Sequence, residues 1–576
     1  MMLPCKPFCK TCQQALCLLA IVLLSSFQVL ASTPSATSFT SGRNEPEALL
    51  KWKASLSKHN QSLLHSWVVA NETCHWEGVT SSKSRSIVHL DLSSHSLRGT
   101  LHSLNFSSLP NLLTLDLGNN LLSGTIPFNI CSLSKLTILI LSNNKLSGNI
   151  PSDIGLLNSL SVCDLGANFL SGVIPPEIGN LKSLSWFALY EKNLKRIIST
   201  TMGSLRNLTN LYLHENKLSG SIPTEIGNLR LLNELDMSSN SLNGTIPASI
   251  GNLTNLSIIY LYENELFGSI PQEIGKLRNL SDLGLSRNIL TCFIPVSIGN
   301  LSNLFNLYLY ENNFTSFIPE EIGSLDSLNE FDLSFNNLTE NKLSGTVPTS
   351  IGNTTKLTEL GIFENNFTGH LLEHLCHNGS LKKLVVHDNH FEGPILKSLK
   401  SCTSLVRVRL ERNHVVGTLS ESFGIHPHST YINLSDNNLH GKVLPKWGRC
   451  GNLTSLQMVR NNISGQIPLE LRKAINLCLL DLSSNRLVGE IPKELGKLTS
   501  LFKLELSGNQ LSSYIPTEIG ILSNIAFLSL GANSLIGSIP RELGDCKKLL
   551  LLNLSFNGFL EGVLPEIGKL VYLKRS

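Results

Sequence analysis

The chain has 576 residues, of which 41% are hydrophobic, 15% charged and 6% aromatic, and its formal net charge at pH 7 is only +3. A nearly neutral chain without a block of like charge lacks the basic surface that nucleic acids require, so nucleic-acid binding is excluded. The chain has no Gly-rich phosphate loop, no H-R-D or D-F-G motif and no G-x-S-x-G elbow. The sequence therefore predicts a protein that is not an enzyme and that uses no cofactor.

The first 31 residues have the pattern of a secretory signal. Lys6 and Lys10 precede an apolar run over residues 15–24, and the small residue Ala31 follows at the expected cleavage point. The run has about ten residues, whereas a membrane span needs about 20. We therefore predict a signal peptide over residues 1–31 and a secreted, apoplastic mature chain. The alternative is an uncleaved signal anchor.

An internal repeat dominates the rest of the chain. Residues 136–151 and 477–492 both fit L-x-x-L-x-L-x-x-N-x-L-x-G-x-I-P. The Asn of this motif, called the slot residue below, recurs every 24 residues from Asn120 to Asn312 and again from Asn341 to Asn557, with Lys at slot 192. With His95 as the first, 20 slots are predicted, and an insertion of five residues places one slot at Asn341, five positions after Asn336. A short repeat of this kind is typical of a solenoid.

The motif predicts the structure of each repeat. The L-x-L core is expected to form a short strand whose leucines point inward, and neighbouring repeats then build a parallel sheet on the concave face. The slot Asn is expected to bond the turn backbone of its own and the adjacent repeat. The E-I-G-x-L stretch suits a 3₁₀ or short helical turn on the convex face. The predicted fold is thus an α/β solenoid, a right-handed superhelix.

Two sets of residues carry a family resemblance. The G-x-I-P after the slot resembles plant-type leucine-rich repeats, and Trp52, Ser66-Trp67 and Cys74-His75-Trp76-Glu77-Gly78-Val79 resemble the N-terminal cap of plant leucine-rich-repeat receptor-like kinases. Ser404–Leu410 and Lys493–Leu498 are similar to the male-discoverer-interacting subgroup. The expected domains are a cap over residues 32–85, about 20 repeats over residues 86–573, and a truncated end over residues 574–576 without the family's C-terminal cap, membrane span and kinase domain. Ser81 stands where the family's second cap cysteine is expected.

The resemblance implies the extracellular ligand-recognition region of a plant receptor-like kinase or receptor-like protein. Its expected partners are a secreted peptide or protein ligand and a leucine-rich-repeat co-receptor kinase, in cell-surface signalling for defence or development. Attachment to the plasma membrane would come only through a C-terminal span that this sequence lacks. Two alternatives stay open: a soluble inhibitor similar to plant proteins that block polygalacturonases, and a non-functional truncated product.

Aromatic residues are concentrated on the predicted concave face between slots 192 and 312. Positions two, four and six before a slot are expected to point to solvent, and exposed Tyr and Trp are typical of binding surfaces. The alternative is that these rings pack against each other as a surface ladder. The predicted ligand-binding aromatic residues, with one histidine, are Trp186, Tyr190, Tyr212, His214, Tyr260, Tyr262, Tyr308 and Tyr310.

Arg407 and Arg409 lie six and four positions before slot 413, so both are expected on one side of a strand. Two adjacent guanidinium groups suit the capture of a carboxylate. The pair is similar to the inner-face Arg-x-Arg with which several plant peptide-hormone receptors hold a ligand's free C-terminus, and internal pairing with Asp388, Glu411 or Asp436 is the alternative. Eight strand steps separate slot 216 from slot 413, about 38 Å, and an extended peptide of roughly 11–12 residues bridges that distance.

Cysteines and sequons complete the predicted sites. Cys376 and Cys402 are one repeat apart and form a possible disulfide, whereas His374, Cys376 and His377 lack a fourth ligand, so no metal site is predicted. The sequence contains 18 N-x-[S/T] sequons, a density that fits a secreted glycoprotein. The glycosylation sites singled out are Asn71, Asn105, Asn207, Asn243, Asn279, Asn313 and Asn366.

Overall fold

The part of the chain that the computed structural model describes comprises residues 44–191, 193–336, 343–377, 379–560 and 565–573. The predicted signal peptide 1–31, Lys192, Asn341 and the tail 574–576 lie outside the described residues. Throughout the described part, every helix falls short of the length and apolar character that crossing a lipid bilayer demands.

One sheet of 21 strands runs along the molecule, and 20 of its strands are parallel neighbours from successive repeats. The first strand belongs to the cap and pairs antiparallel with the second. This sheet forms the predicted concave face. Its strands are Val79–Ser81, Ile87–Asp91, Thr114–Asp116, Ile138–Ile140, Val162–Asp164, Trp186–Ala188, Asn210–Tyr212, Glu234–Asp236, Ile258–Tyr260, Asp282–Gly284, Asn306–Tyr308, Glu330–Asp332, Glu359–Gly361, Lys383–Val385, Arg407–Arg409, Tyr431–Asn433, Ser455–Gln457, Leu479–Asp481, Lys503–Glu505, Phe527–Ser529 and Leu551–Asn553.

Three shorter parallel sheets lie on the flank of the solenoid, and their strands follow the slots of most repeats. The nine-stranded sheet contains Arg98–Thr100, Leu121–Thr125, Lys145–Asn149, Phe169–Gly172, Asn193–Arg196, Lys217–Gly220, Ser241–Gly244, Glu265–Gly268 and Ile289–Leu290. The three-stranded sheet contains Ser344–Thr346, Asn366–His370 and His390–Glu392. The seven-stranded sheet contains Val416–Thr418, Asn438–Lys442, Asn462–Gly465, Arg486–Gly489, Gln510–Ser513, Ser534–Gly537 and Gly558–Phe559.

Helical turns close each repeat on the opposite side. The α-helices of the described residues are Asn44–Ser55, Lys58–Leu63 and Leu419–Ser422. The 3₁₀ helices are Thr73–His75, Phe106–Ser108, Phe128–Ser132, Ser152–Leu156, Pro176–Asn180, Thr200–Ser204, Thr224–Asn228, Ala248–Asn252, Gln272–Lys276, Val296–Asn300, Glu320–Ser324, Thr349–Asn353, Lys397–Ser401, Pro445–Arg449, Leu469–Lys473, Lys493–Lys497, Thr517–Ile521, Arg541–Asp545 and Pro565–Lys569. The predicted α/β solenoid, with strands on one face and 3₁₀ turns on the other, is confirmed.

A ladder of slot asparagines joins the repeats, as predicted. Asn288, 4% exposed, donates from Nδ2 to the backbone oxygens of Leu261, Leu285 and Ser286 at 3.0, 3.1 and 3.2 Å. Its Oδ1 accepts the backbone N–H of Leu266 at 3.0 Å. Leu261 and Leu266 belong to the preceding repeat, so each amide satisfies buried backbone groups on both sides of a repeat boundary.

The structure corrects the slot register at the insertion. Asn336 is fully buried and its Nδ2 donates to the oxygens of Leu309 and Leu333, while its Oδ1 accepts from Phe314 N. Asn336 is therefore the slot residue of the repeat that begins with strand Glu330–Asp332. The 24-residue spacing, counted back from Asn557, assigned that role to Asn341. The five extra residues lengthen that repeat after its slot.

The cap covers the first repeat with aromatic side chains. Trp52 and Trp67 are fully buried, and Trp67 stacks on Trp76 with ring centroids 5.4 Å apart. Glu45 is 1% exposed and accepts hydrogen bonds from Ser86 Oγ and from the backbone N–H of Ile87 at 2.5 and 2.9 Å. The cap therefore begins the solenoid by packing indole rings over its core and tying its first helix to the first parallel strand.

Candidate ligand-binding face

The concave sheet presents three side chains per repeat, at six, four and two positions before the slot. In the fourth-position row, cross-strand partners run Tyr212, Asp236, Tyr260, Gly284 and Tyr308 in register. Large rings thus alternate with small side chains along this row. The same alternation occurs two positions later in each repeat, where the side chains are His214, Ser238, Tyr262, Ser286, Tyr310 and Ser334.

The prediction that all these rings are solvent-exposed is wrong for Trp186 and Tyr212. They are 5% and 4% exposed, and their ring centroids lie 5.0 Å apart. They form a small apolar cluster on the concave side with Ala188 and with Ile138, Ile140 and Val162 of the two strands that precede Trp186–Ala188. The rings are thus covered from the side by their neighbours, which favours the surface-ladder alternative at this end.

The other predicted aromatic residues remain half-buried on the same face. Tyr190 stacks on His214 with ring centroids 5.0 Å apart and planes 3° apart, and Tyr260 lies 5.7 Å from Tyr262. Tyr308 and Tyr310 complete the set at the last aromatic repeat, and both are partly exposed. The structure therefore brings seven aromatic rings and His214 onto one continuous surface, in the repeats of four strands: Trp186–Ala188, Asn210–Tyr212, Ile258–Tyr260 and Asn306–Tyr308.

Three tyrosine–carboxylate pairs were missed in the sequence. Tyr212 donates its hydroxyl to Glu234 at 2.6 Å, Tyr260 to Asp282 at 3.5 Å, and Tyr308 to Glu330. Each acceptor lies 22 residues after its tyrosine, on the next strand. The signal was present, because the tyrosines and the acids both recur every 48 residues, twice the repeat length.

The arginine pair is engaged within the chain. Arg409 Nε donates to Glu411 Oε1 at 2.7 Å, and the guanidinium carbon of Arg407 lies 4.5 Å from the ring centroid of Tyr431. Both side chains are on strand Arg407–Arg409, as expected, and both are half-buried. Internal pairing with Glu411, one of the alternatives left open, describes Arg409, whereas Arg407 makes a cation–π contact.

The charges of the other basic side chains in the neighbouring repeats are largely neutralised. Lys383 pairs with Glu359 at 2.7 Å and Arg412 pairs with Asp388 at 2.8 Å. His387 is 3% exposed, and burial lowers its pKa more than the adjacent Glu411 raises it, so the ring is not a fixed positive charge. In the arginine zone, defined as strands Lys383–Val385 to Tyr431–Asn433, the charges are therefore compensated by side chains of opposite charge.

One unpredicted cluster has potential metal ligands. Glu364, His387 and Asp388 bring one ligand atom each within 4.8 Å of one another. His387 Nδ1 already lies 2.5 Å from Asp388 Oδ2, and Arg412 binds the other Asp388 oxygen. These contacts occupy the cluster internally, and it could not be predicted from the sequence because its members come from two repeats.

The structure joins Cys376 and Cys402 by a disulfide, with their Cα atoms 5.8 Å apart. Cys74 is not in a disulfide with any described residue. Among the singled-out sequons, Asn71, Asn105, Asn207, Asn243 and Asn279 are exposed, whereas Asn313 and Asn366 are half-buried. His374 and His377 lie on the turn beside the disulfide with ring centroids 6.2 Å apart, and the bridge occupies the sulfur that a metal would need.

Burial of Asp116 on this face predicts a stability that depends on pH. Burial raises its pKa to about 6, the hydrogen bond from Gly118 N opposes the rise, and the charges of Asp91 and Asp164 add to it. Because the folded state then holds the proton more tightly, stability is lost as pH rises from about 4 to about 6. The variant Asp116→Asn keeps the acceptor oxygen for Gly118 N. We expect its free energy of unfolding at pH 7 to be higher than that of the wild type by up to about 3 kcal/mol.

Hydrogen exchange of the backbone around strand Thr114–Asp116, measured between pH 4 and pH 7 with correction for intrinsic rates, checks this expectation. The two proteins should converge at pH 4 and diverge above it. Asp326→Asn, at an exposed position, removes the same charge and is the control. A constant difference across the pH range would contradict the assignment to Asp116.

The fold is that of a leucine-rich-repeat solenoid. Comparison with known proteins shows which leucine-rich-repeat proteins this chain is similar to. The family profile "Leucine rich repeat N-terminal domain" matches residues 43–80. The profile "Leucine Rich Repeat" matches residues 111–133, 135–157, 207–229, 231–253, 303–325 and 476–498. Similar curated proteins are Arabidopsis thaliana receptor kinases.

Two of these relatives show how far the similarity extends. "MDIS1-interacting receptor like kinase 2" is 41% identical over 117 residues, 20% of this chain and 10% of the relative. "Leucine-rich repeat receptor-like serine/threonine-protein kinase SKM1" is 39% identical over 92 residues, 15% of this chain and 9% of the relative. The aligned part thus spans only about a tenth of either relative's length.

Solved structures give a longer match. The Arabidopsis receptor kinase HAESA, crystallised with the peptide hormone IDA and the co-receptor SERK1, has a TM-score of 0.76 and 33% identity, covering 92% of this chain and 96% of that chain. The PEPR1–AtPEP1 structure has a TM-score of 0.72 and 28% identity, covering 92% and 84%. The chain belongs to the family of plant leucine-rich-repeat receptor ectodomains.

Proposed function

We propose that this chain is a ligand-recognition ectodomain that binds a secreted peptide across its concave face. The observation that carries the proposal is the placement of two chemically distinct zones on one continuous sheet. The aromatic zone, strands Trp186–Ala188 to Asn306–Tyr308, provides rigid contact area, and the arginine zone provides paired guanidinium groups. Eight strand steps of about 4.8 Å separate slots 216 and 413, so a peptide of about 10–14 residues spans both.

The arginine zone supports an end-specific interaction. Arg407 is held in one orientation by its stacking on Tyr431, so little side-chain entropy is lost when it binds a planar carboxylate. Arg409 is bound to Glu411, whose Oε2 is buried without a hydrogen-bond partner. A ligand carboxylate would compete with Glu411 for Arg409 and form a charge-assisted pair with both arginines.

The proposed co-receptor and the proposed location are based on similar receptor structures. HAESA was crystallised with a peptide hormone and a co-receptor, and RGFR1 was crystallised with the peptide RGF2. By analogy, ligand binding here recruits a leucine-rich-repeat co-receptor kinase at the cell surface. We further propose an extracellular location and glycans on the exposed sequons, with Asn313 and Asn366 less readily modified because they are half-buried.

The test uses two pools of synthetic 12-residue peptides that share their sequences and differ only in a free or an amidated C-terminus. We expect the protein to retain the free-acid pool about tenfold more strongly, since a bidentate carboxylate contact is worth at least one decade in affinity. The double variant Arg407→Gln/Arg409→Gln should lose that preference.

The control is Arg472→Gln/Lys473→Gln, which removes the same charge from the 3₁₀ helix Leu469–Lys473 on the other face. Equal retention of both pools by the wild type would overturn carboxylate capture at the arginine pair. If the control variant also lost the preference for free-acid peptides, that preference would depend on net charge, and the proposed site would be contradicted.

A further inference from the structure

Part of the convex face has a strong excess of positive charge. Five helical turns of successive repeats hold eight basic and only three acidic side chains, in a chain whose formal net charge is +3. The turns are Lys397–Ser401, Leu419–Ser422, Pro445–Arg449, Leu469–Lys473 and Lys493–Lys497. The basic side chains, called the basic surface below, are Lys397, Lys400, Lys446, Arg449, Arg472, Lys473, Lys493 and Lys497, and the acidic ones are Glu421, Glu470 and Glu494.

Equivalent turns elsewhere in the solenoid carry the opposite charge. The five consecutive turns from Ser152–Leu156 to Ala248–Asn252 contain Asp153, Glu177 and Glu225 and no basic residue. The repeat thus forms its convex turn with either charge. The lysines and arginines of the basic surface are therefore not needed to build the turn.

The basic surface has no counter-ions within the described part of the chain. None of its eight side chains forms an ion pair with a described carboxylate. Six of the eight are exposed, and only Lys446 and Arg472 are half-buried. On the concave face of the same region, by contrast, Lys383 and Arg412 are paired with acids. The excess positive charge is therefore open to an external anion.

The positive charges also act on each other. Burial lowers the pKa of Lys446, and the charge of Lys400 lowers it further. Burial lowers the pKa of His426 as well; its hydrogen bond to Cys402 O opposes this decrease, and the charge of Lys446 adds to it. A bound anion would offset this repulsion at short range, whereas dissolved salt only screens it.

Three of the cations form a row along the solenoid. Arg449, Lys473 and Lys497 follow one another at intervals of 24 residues, and each ends a 3₁₀ helix. Successive turns are in close contact, since a Cβ atom on Gly448 would lie 2.0 Å from the backbone oxygen of Glu470. The row therefore presents one positive charge per repeat, and the strands set a spacing of roughly 5 Å.

A row of evenly spaced charges fits a linear polymer better than a single small anion. Six of the eight basic residues are lysines, whose compact charges on flexible stems adapt to a mobile chain, whereas arginine is favoured where planar groups are recognised. A flexible chain also follows a convex surface, which a flat bilayer touches over only a short length.

We propose that the basic surface binds a linear polysaccharide that carries carboxylate groups, with its acidic sugars along the row Arg449, Lys473 and Lys497. The contact is electrostatic and lies on the face opposite the arginine zone. It therefore does not depend on the peptide proposed for the concave face, and both partners can be bound at the same time.

The test measures the binding of fluorescein-labelled polygalacturonate, which has one carboxylate per sugar, to the full chain by fluorescence anisotropy. We expect the fully methyl-esterified polymer to bind about tenfold more weakly or not at all, because its charges are removed. Raising the NaCl concentration from about 0.05 M to about 0.5 M should weaken binding of the acid form about tenfold, since exposed charges are screened. Equal binding of the esterified polymer, or equally tight binding of phosphatidylserine vesicles, would overturn the assignment to an acidic polysaccharide.

The double variant Lys473→Gln/Lys497→Gln should weaken the binding of polygalacturonate about tenfold. Lys195→Gln/Lys217→Gln removes the same charge from exposed positions on the flank and is the matched control. An equal loss in the control would show that binding depends on net charge, which would contradict the proposed row.

A second variant changes the affinity in the opposite direction. Glu470→Gln/Glu494→Gln removes two acids from the turns of the basic surface and should strengthen binding several-fold, so the test does not depend on loss of binding alone. Unchanged affinity in either surface variant would overturn the inference. Selection of free-acid peptides at Arg407 and Arg409 is measured separately, and the proposed function stands or falls on that result.

Discussion

Replacing Asn288 by alanine is expected to lower the free energy of unfolding of its repeat by about 4 kcal/mol. The side chain donates to three backbone oxygens, those of Leu261, Leu285 and Ser286, and accepts one backbone N–H, that of Leu266. Alanine supplies none of these bonds at a site that is 4% exposed, where bulk solvent does not reach the backbone groups. Each unsatisfied buried group costs roughly 1–3 kcal/mol, and sharing of the amide donors keeps the sum at the lower end.

The effect should be local, because each repeat contacts only its neighbours. Hydrogen exchange resolved by peptide should show lost protection in the strands on either side of slot 288 and little change at both ends of the solenoid. Asn476→Ala is the matched control, since Asn476 is exposed and makes one amide bond, to Gly451 O at 2.7 Å. A loss below about 1 kcal/mol at Asn288 would show that the ladder is not a main source of cohesion between repeats.

Removing the bridge between Cys376 and Cys402 with Cys376→Ala/Cys402→Ala is expected to cost about 3.5 kcal/mol. The bridge closes a loop with a sequence separation of 26 residues, and opening that loop raises the entropy of the unfolded chain. Both cysteines are buried, at 2% and 0% exposure, so the alanines remain in apolar surroundings. We expect the loss of stability to include strand Lys383–Val385, which lies within the loop that the bridge closes.

Limited proteolysis and hydrogen exchange of residues 379–402 measure this loss directly. Treatment of the wild type with a reducing agent should reproduce the variant's behaviour, whereas Cys478→Ala, at an exposed free cysteine, should not. Mass mapping that finds both thiols free in the oxidised protein would contradict the bridge itself. The arginine zone begins inside this loop, and strand Arg407–Arg409 follows the loop by a few residues, so the variant also tests whether the bridge supports the peptide-binding end.

The repeat could be predicted in detail because its stabilising contacts connect equivalent positions one period apart. Asn288 and Leu266 are 22 residues apart, and the same bond recurs between Asn264 and Leu242 at 2.9 Å. A contact that recurs at a fixed separation leaves a period in the sequence, and that period was sufficient to predict strands, turns and the ladder. The period was misleading at the insertion, where it assigned the slot to Asn341 and the backbone hydrogen bonds show Asn336 in that role.

The candidate site was less predictable because its side chains interact with variable neighbours. Arg409 projects from the expected strand, but Glu411, two residues later, determines where its guanidinium group lies. Trp186 and Tyr212 were assigned to the right face, but the preceding strands determine their exposure. The left-handed backbone before each slot is also set by packing, since residues as different as Glu263 and Arg287 adopt φ of 55° and 54° there.

The amino-acid sequence by itself determined the solenoid, its concave sheet, the family, and the placement of aromatic and arginine residues on one face, because these depend on local patterns repeated along the chain. The tertiary structure alone decided which of those side chains are covered, which charges are already compensated, and that three tyrosines donate their hydroxyl groups to carboxylates on the next strand. These properties depend on side chains about 22 residues apart that meet across neighbouring strands, where each residue's surroundings are set by the particular repeat beside it.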